Sequence, residues 1–117
     1  MCLRISSAAT ALLVLASCGP KSAEPQGEQV SCAIGADADF AEVCTLESVA
    51  GGGEFVIHHP DGGFRRVEYD RETDEIGVVG GADTLRLSDA STADIAEFAI
   101  GADRYRISSL LLRAPAQ

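Results

Sequence analysis

The chain has 117 residues, 46% hydrophobic and 23% charged, with 18 acids against 9 basic residues and a formal net charge of −9. That length supports a single small domain, and the apolar share is too high for a disordered polymer. The acidity excludes nucleic acid as a partner, because binding it takes a basic face that displaces counterions.

In chain order, residues 1–17 have the three-part form of an export signal. Arg4 supplies the positive start, residues 5–16 form an apolar stretch, and the small residues Ala16 and Ser17 close it. A secretory apolar region runs roughly 7–15 residues, whereas a spanning helix needs about 20. The stretch here is too short to span and is diluted by Ser6, Ser7 and Thr10. A buried helix of the folded domain is the weaker alternative on the same length argument.

The run ends in Leu15-Ala16-Ser17-Cys18. These residues resemble the lipobox of bacterial lipoproteins, and the resemblance covers residues 1–18. It implies cleavage before Cys18, a diacylglycerol on its thiol and a further palmitate-type acyl chain on the new amino terminus. The physical logic agrees with that chemistry. An acyl chain contributes ~0.8 kcal/mol per buried methylene, so one chain holds marginally and stable anchoring takes two. Cys2 leaves with the signal. The resemblance also implies a cell-envelope location facing the periplasm, and Gly19 after the anchor, where Asp favours inner-membrane retention, points towards the outer membrane. Loss of Arg4 leaves the mature chain more acidic still, which suits solubility or a cationic partner.

Residues 18–29 then read as lipid anchor and flexible tether. "GPKSAEPQGEQ" has Pro, Gly, Ser and charges without apolar periodicity. Its eleven residues reach at most about 35–40 Å when extended. Residues 30–117 form the domain. Two cysteines remain in it, Cys32 and Cys44, and an even pair in an oxidising compartment reads as a disulfide. Closing this loop stabilises by about 3 kcal/mol on chain-entropy grounds. A metal site at this spacing lacks further ligands, and no CxxC pair is present.

From Val30 onward the punctuation predicts a mainly β fold, with short runs separated by turn residues: "VSCAI", "VCTLESV", "EFVIHH", "FRRVEYD", "EIGVV", "TLRLS", "IAEFAI" and "RYRISSLLL". The clearest hairpin turns at Pro60-Asp61-Gly62, where Pro60 presets φ, Asp61 tolerates the second corner and Gly62 supplies a left-handed residue. A second turns at Arg71-Glu72-Thr73-Asp74 and a third at Gly101-Ala102-Asp103. On the last strand Tyr105 and Ile107 share one face while Arg104 and Arg106 share the other. Residues 37–43 fit a single helical turn as well as a loop. "SDASTADIAEFAI" is able to start as a helix behind Ser88 and Asp89, but a strand from Ile95 is preferred because "RYRI" needs a partner. The tripeptide Gly-Ala-Asp occurs three times at unequal spacing, which is shared turn chemistry rather than a repeat. The expected architecture is an antiparallel meander closing into a small barrel or sandwich.

Candidate chemistry is sparse. His58 and His59 are neighbours on a strand, so their side chains point to opposite faces and cannot chelate one ion together. His59 with Asp61 offers at most a weak metal site. Asp37, Asp39 and Glu42 lack the glycine and the final glutamate of an EF-hand loop. "VAGGGEF" leads into a strand rather than a helix, so it makes no phosphate cradle. Ser108 and Ser109 have no nucleophile elbow around them. The expectation is no catalytic set, no cofactor and no metal.

The segment His59-Pro60-Asp61-Gly62-Gly63-Phe64-Arg65-Arg66, downstream of the cysteine pair and upstream of Gly101-Ala102-Asp103-Arg104-Tyr105-Arg106, resembles small uncharacterised exported proteins of alphaproteobacteria. The resemblance covers most of the mature domain and implies no activity. Its arginines, Arg65, Arg66, Arg104 and Arg106, either form a cationic patch or pair with Glu68 and Glu97 across strands. The function expected is that of a lipid-anchored envelope protein, a non-enzymatic interaction or structural domain with an envelope protein as partner. One alternative is an acidic inhibitor of a cationic hydrolase such as lysozyme. In size, acidity, anchor and disulfide the chain is similar to membrane-bound inhibitors of c-type lysozyme, although their Ser- and Lys-bearing motifs are missing and the lone lysine, Lys21, lies in the tether. The other alternative is a weak metal-binding module.

Overall fold

A computed structural model of the protein describes residues 25–114. The signal segment 1–17, the anchor Cys18 and the tether as far as residue 24 lie outside the described residues, as do residues 115–117. The elements in order are β1 (Glu28–Ala33), β2 (Ala41–Ser48), β3 (Glu54–His58), β4 (Phe64–Asp70), β5 (Glu75–Val78), β6 (Leu85–Leu87), β7 (Ile95–Ile100), β8 (Asp103–Ser108) and the short helix α1 (Ser109–Arg113).

The eight strands form one antiparallel sheet in the order β5-β4-β3-β2-β1-β8-β7-β6, curled so far that it is nearly a closed barrel. Two hairpin chains, β1 to β5 and β6 to β8, are joined by the pairing of β1 with β8 at Ser31↔Arg106, Cys32↔Tyr105 and Ala33↔Arg104. Strand alternation drives the curl, because every second residue is apolar and must leave water on the same side. Phe55 and Ile57 of β3, Val67 and Tyr69 of β4, Phe98 and Ile100 of β7, and Tyr105 and Ile107 of β8 meet in a single core. Arg104 and Arg106 lie on the outer face of β8, as the alternation predicts, both over the ring of Phe40.

The three hairpins turn where the residues direct them. His59 N donates to Gly63 O at 2.8 Å, and Gly62 has φ +91°, the left-handed conformation assigned to it. β7 begins at Ile95 rather than continuing a helix. Ser88 does not cap a helix there, because its hydroxyl accepts from Ala90 N at 3.1 Å within a tight turn. Residues 37–40 are likewise non-helical.

Two boundaries differ from expectation. Glu28 and Gln29, placed in the tether on composition, are strand residues opposite Leu46 and Thr45. The chain can enter there because Gly27 has no side chain: a Cβ would stand 2.0 Å from the Leu46 carbonyl oxygen. At the other end the strand expected to run through "SSLLL" stops at Ser108, and α1 follows. Leu112, 1% exposed, folds in to cover one end of the barrel, which a continuing strand would leave open.

Cys32 and Cys44 are bridged, with Cα atoms 6.0 Å apart, inside the span a disulfide needs. The bridge joins adjacent strands beside a bulge in β1 between Val30 and Cys32. Both cysteines are buried in the core.

Candidate functional site

Two features outside the apolar core carry charge: a polar cluster at the barrel end opposite α1, and an acidic groove on the outer face.

The cluster forms because three strands begin or end there with polar residues on their inward face. Arg65 shares the face of Val67, and Asp103 shares that of Tyr105. His59 follows the end of β3. Tyr105 is fully buried, and its hydroxyl lies 2.7 Å from His59 Nε2. Arg65 reaches Asp83 at 3.1 Å, in the loop after β5, and Asp103 at 3.4 Å. The other carboxylate oxygen of Asp103 accepts from Gly35 N at 2.9 Å. The cluster therefore ties β1, β3, β4 and β8 to the β5–β6 loop across the mouth of the barrel.

Its electrostatics follow from burial and from these pairings. Burial pushes the Tyr105 hydroxyl well above its ordinary value, with the Asp103 charge adding to the effect. A phenol so held is a poor nucleophile and a poor base. Burial pulls Arg65 down, but its hydrogen bonds to Asp83 and Asp103 outweigh that and hold the guanidinium charged. Burial also lowers the His59 pKa, opposed by Asp103 and Asp61 and reinforced by Arg65 and His58. The His59 ring and the Tyr105 hydroxyl, 2.7 Å apart, therefore meet as two neutral groups sharing one hydrogen bond.

A pH dependence follows. A histidine with a folded pKa below the unfolded 6.5 contributes stability that is whole above that value and is lost as pH falls towards the folded pKa. Between roughly pH 7.5 and 5.5 the denaturation midpoint of the wild-type domain should drop, and His59→Gln should remove much of that drop. Parallel slopes for the two proteins would refute the assignment.

The histidines diverge as the strand geometry requires. His58 Nε2 lies 3.0 Å from Glu47 Oε1 on the outer face, while His59 turns inward. Asp61 spends one oxygen on Gly63 N at 2.8 Å. Among the described residues no three His, Cys, Asp or Glu side chains gather as a metal site would require.

Of the cross-strand pairings expected for the arginines, Arg106 does meet Glu97 at 3.2 Å. Arg66 binds Glu54, its diagonal neighbour across the β3–β4 hairpin, rather than Glu68, two residues along its own strand. Arg65 lies inside and takes Asp83 and Asp103, partners no local spacing would suggest.

The second feature lies on the outer face of β3, β4 and β5. An open groove of about 1120 Å³ is bordered by Gly53, Glu54, Glu68, Asp70, Glu72, Glu75 and Gly77. Glu68 leans over Gly77, its Oε1 3.4 Å from where a Cβ would stand. Arg71, also on the rim, donates to the Ala114 carbonyl at 2.9 Å. Glu68, Asp70, Glu72 and Glu75 form no ion pair among the described residues. Sequence reading missed this groove. Its signal was the acidic alternation in "FRRVEYD" followed by "RETDE", which strand pairing folds onto one surface.

At the helical end Tyr69 donates to Asp74, and Arg113 of α1 meets the same carboxylate at 3.1 Å. The Tyr69 hydroxyl and then Arg113 hold the Asp74 carboxyl below the usual range. This contact fastens α1 to the β4–β5 turn.

No protein-family model matches this chain. Neither a search of curated proteins nor one of solved structures finds a match. The reading of function therefore rests on the residues themselves.

Proposed function

We propose that this protein is a lipid-anchored domain of the cell envelope that works without catalysis, by presenting an acidic face to a cationic protein. The observation that carries the reading is the groove beside β5, where Glu68, Asp70, Glu72 and Glu75 stand without ion pairs among the described residues. Four such carboxylates against the single Arg71 on the rim leave the concave surface net negative, which raises the local concentration of cationic partners and speeds their capture. The lipobox residues Leu15-Ala16-Ser17-Cys18 and the polar tether support placement beside a membrane. The inward ionisable groups support a non-catalytic role, since their pairing spends them on closing the barrel.

In-cell crosslinking followed by mass spectrometry tests the whole reading. The expected result is an amino-terminal Cys18 carrying lipid and recovery of a basic envelope protein, with recovery lost on Glu68→Lys/Glu75→Lys. A native chain beginning at Met1 with a bare Cys18 thiol would overturn the anchor. Equal recovery by the charge-reversed variant would overturn the groove.

The same groove supports a second reading, inhibition of a cationic hydrolase such as lysozyme. That reading requires slower cell-wall lysis at low ionic strength and relief by salt. An unchanged lysis rate would dismiss it.

A further inference from the structure

We infer that the free edge of β5 is a strand-addition site for a basic, extended polypeptide segment. This rests on the interaction-domain reading and names the kind of partner it takes.

The backbone shows which groups are on offer. Val79 N donates to Arg66 O at 2.8 Å. Hydrogen-bonded pairs alternate along an antiparallel ladder, so Gly77 with Glu68 and Glu75 with Asp70 are the next bonded pairs. The N–H and C=O groups of Ile76 and Val78 therefore point away from β4. β4 is the strand neighbour of β5 in the sheet, and β6 stands at the opposite end of the strand order without bonding to it. Natural edges are usually blunted by lysine, proline, a covering loop, charged side chains or shortness, and β5, at four residues with one glutamate, uses only the last two. β5 reads Glu-Ile-Gly-Val and has neither lysine nor proline.

Side chains on the two faces specify the occupant. On the inner side Ile76, Val78 and Leu85 are only partly buried. Leu87 is 62% exposed, although its partner Phe98 across the β6–β7 pair is 1% exposed. The core is thus short of cover along the seam between the edge strands. On the outer side, Glu75 and the bare Gly77 lie beside Glu68 and Asp70 at the groove. A strand added to β5 would alternate between these environments. Apolar residues would face the seam, and the residues between them would face the carboxylates of Glu68, Asp70 and Glu75. Lysine or arginine satisfies the second position, and β-branched residues satisfy the first. A second copy of this chain does not fit, because its edge would bring the same carboxylates against their like, in a protein of net charge −9.

The test uses the mature protein as purified from the cell envelope, in detergent micelles, and a labelled synthetic peptide of about eight residues alternating lysine and valine, ~27 Å when extended. Two further peptides carry N-methyl groups on alternate residues, one set blocking the amides that face β5 and the other blocking those that face away. The expected result is saturable binding, weakened roughly tenfold by Glu68→Lys/Glu75→Lys. Binding should be abolished by N-methylation on one set of residues and kept with the other. Both outer-face substitutions leave the core intact, and unchanged denaturation midpoints check this. Equal binding of both methylated peptides would overturn strand addition, because charge alone would then be holding the peptide. Absence of binding by every peptide would also overturn it, as would a protein dimer that forms through β5. The crosslinking experiment reads partners whatever their binding mode. Recovery of a basic partner alongside a peptide indifferent to β5 would sink this inference and leave the interaction-domain reading standing.

Discussion

Replacing Phe98 with alanine should destabilise the domain by about 3–5 kcal/mol, the largest loss expected from any single truncation here. Phe98 is 1% exposed on the inward face of β7, and its ring centroid lies 5.3 Å from that of Tyr105. Truncation leaves a cavity that strands held on both sides cannot collapse to fill. It also removes the stacking surface under the phenol that His59 engages. Small domains are stable by only about 5–15 kcal/mol in total, so the variant should be partly unfolded at modest denaturant. Urea titration should show a lower midpoint with an unchanged slope. Phe64→Ala is the control: Phe64 is 60% exposed, and its loss should fall within about 0.5 kcal/mol of zero. Equal losses at the two sites would mean that the inward face has been misplaced.

Removing the disulfide should cost about 3 kcal/mol and lower the melting temperature by roughly 10–20 °C. Cys32 and Cys44 are 12 residues apart and span neighbouring strands, so the bridge restricts the unfolded chain more than it reshapes the sheet. Reduction isolates the cross-link, whereas Cys32→Ala/Cys44→Ala also removes two buried sulfurs and should lose slightly more. Both cysteines are almost fully buried, at 1% and 0% exposure. Dithiothreitol should therefore act slowly on the native protein and quickly in denaturant. Identical melting curves before and after reduction would contradict this.

Local chemistry carried most of the fold. Gly62 was legible because a tight turn needs a left-handed residue, and it has φ +91°. Tyr105 and Ile107 were legible because period-two alternation assigns faces without any knowledge of partners. "SLLL" was not, because a short apolar run has no period to separate strand from helix. It becomes α1 through what surrounds it: Ser109 N donates to Asp94 O at 2.8 Å, and Arg113 finds Tyr69 and Asp74. The partners of Arg65 were hidden for a related reason. Cross-strand logic offers neighbours in the adjacent hairpin, whereas Asp103 is 38 residues away and meets Arg65 only once the sheet has curled. The groove at β5 was hidden in the same way, since its carboxylates come from different strands and become one surface only through register.

β1 sits mid-sheet, between β2 and β8, and the Gly35–Asp103 hydrogen bond that locks it spans 68 residues. A chain appearing amino end first therefore waits for its last strand before its first one has a second neighbour. Until then β1 is an unsatisfied border, and the two hairpin arrays are separate. Such long-range closure makes maturation slow relative to helical domains of equal size. A transcript stopped short of Asp103 would yield a half-made product prone to clump, so degradation of truncated forms should be far faster than that of the finished protein.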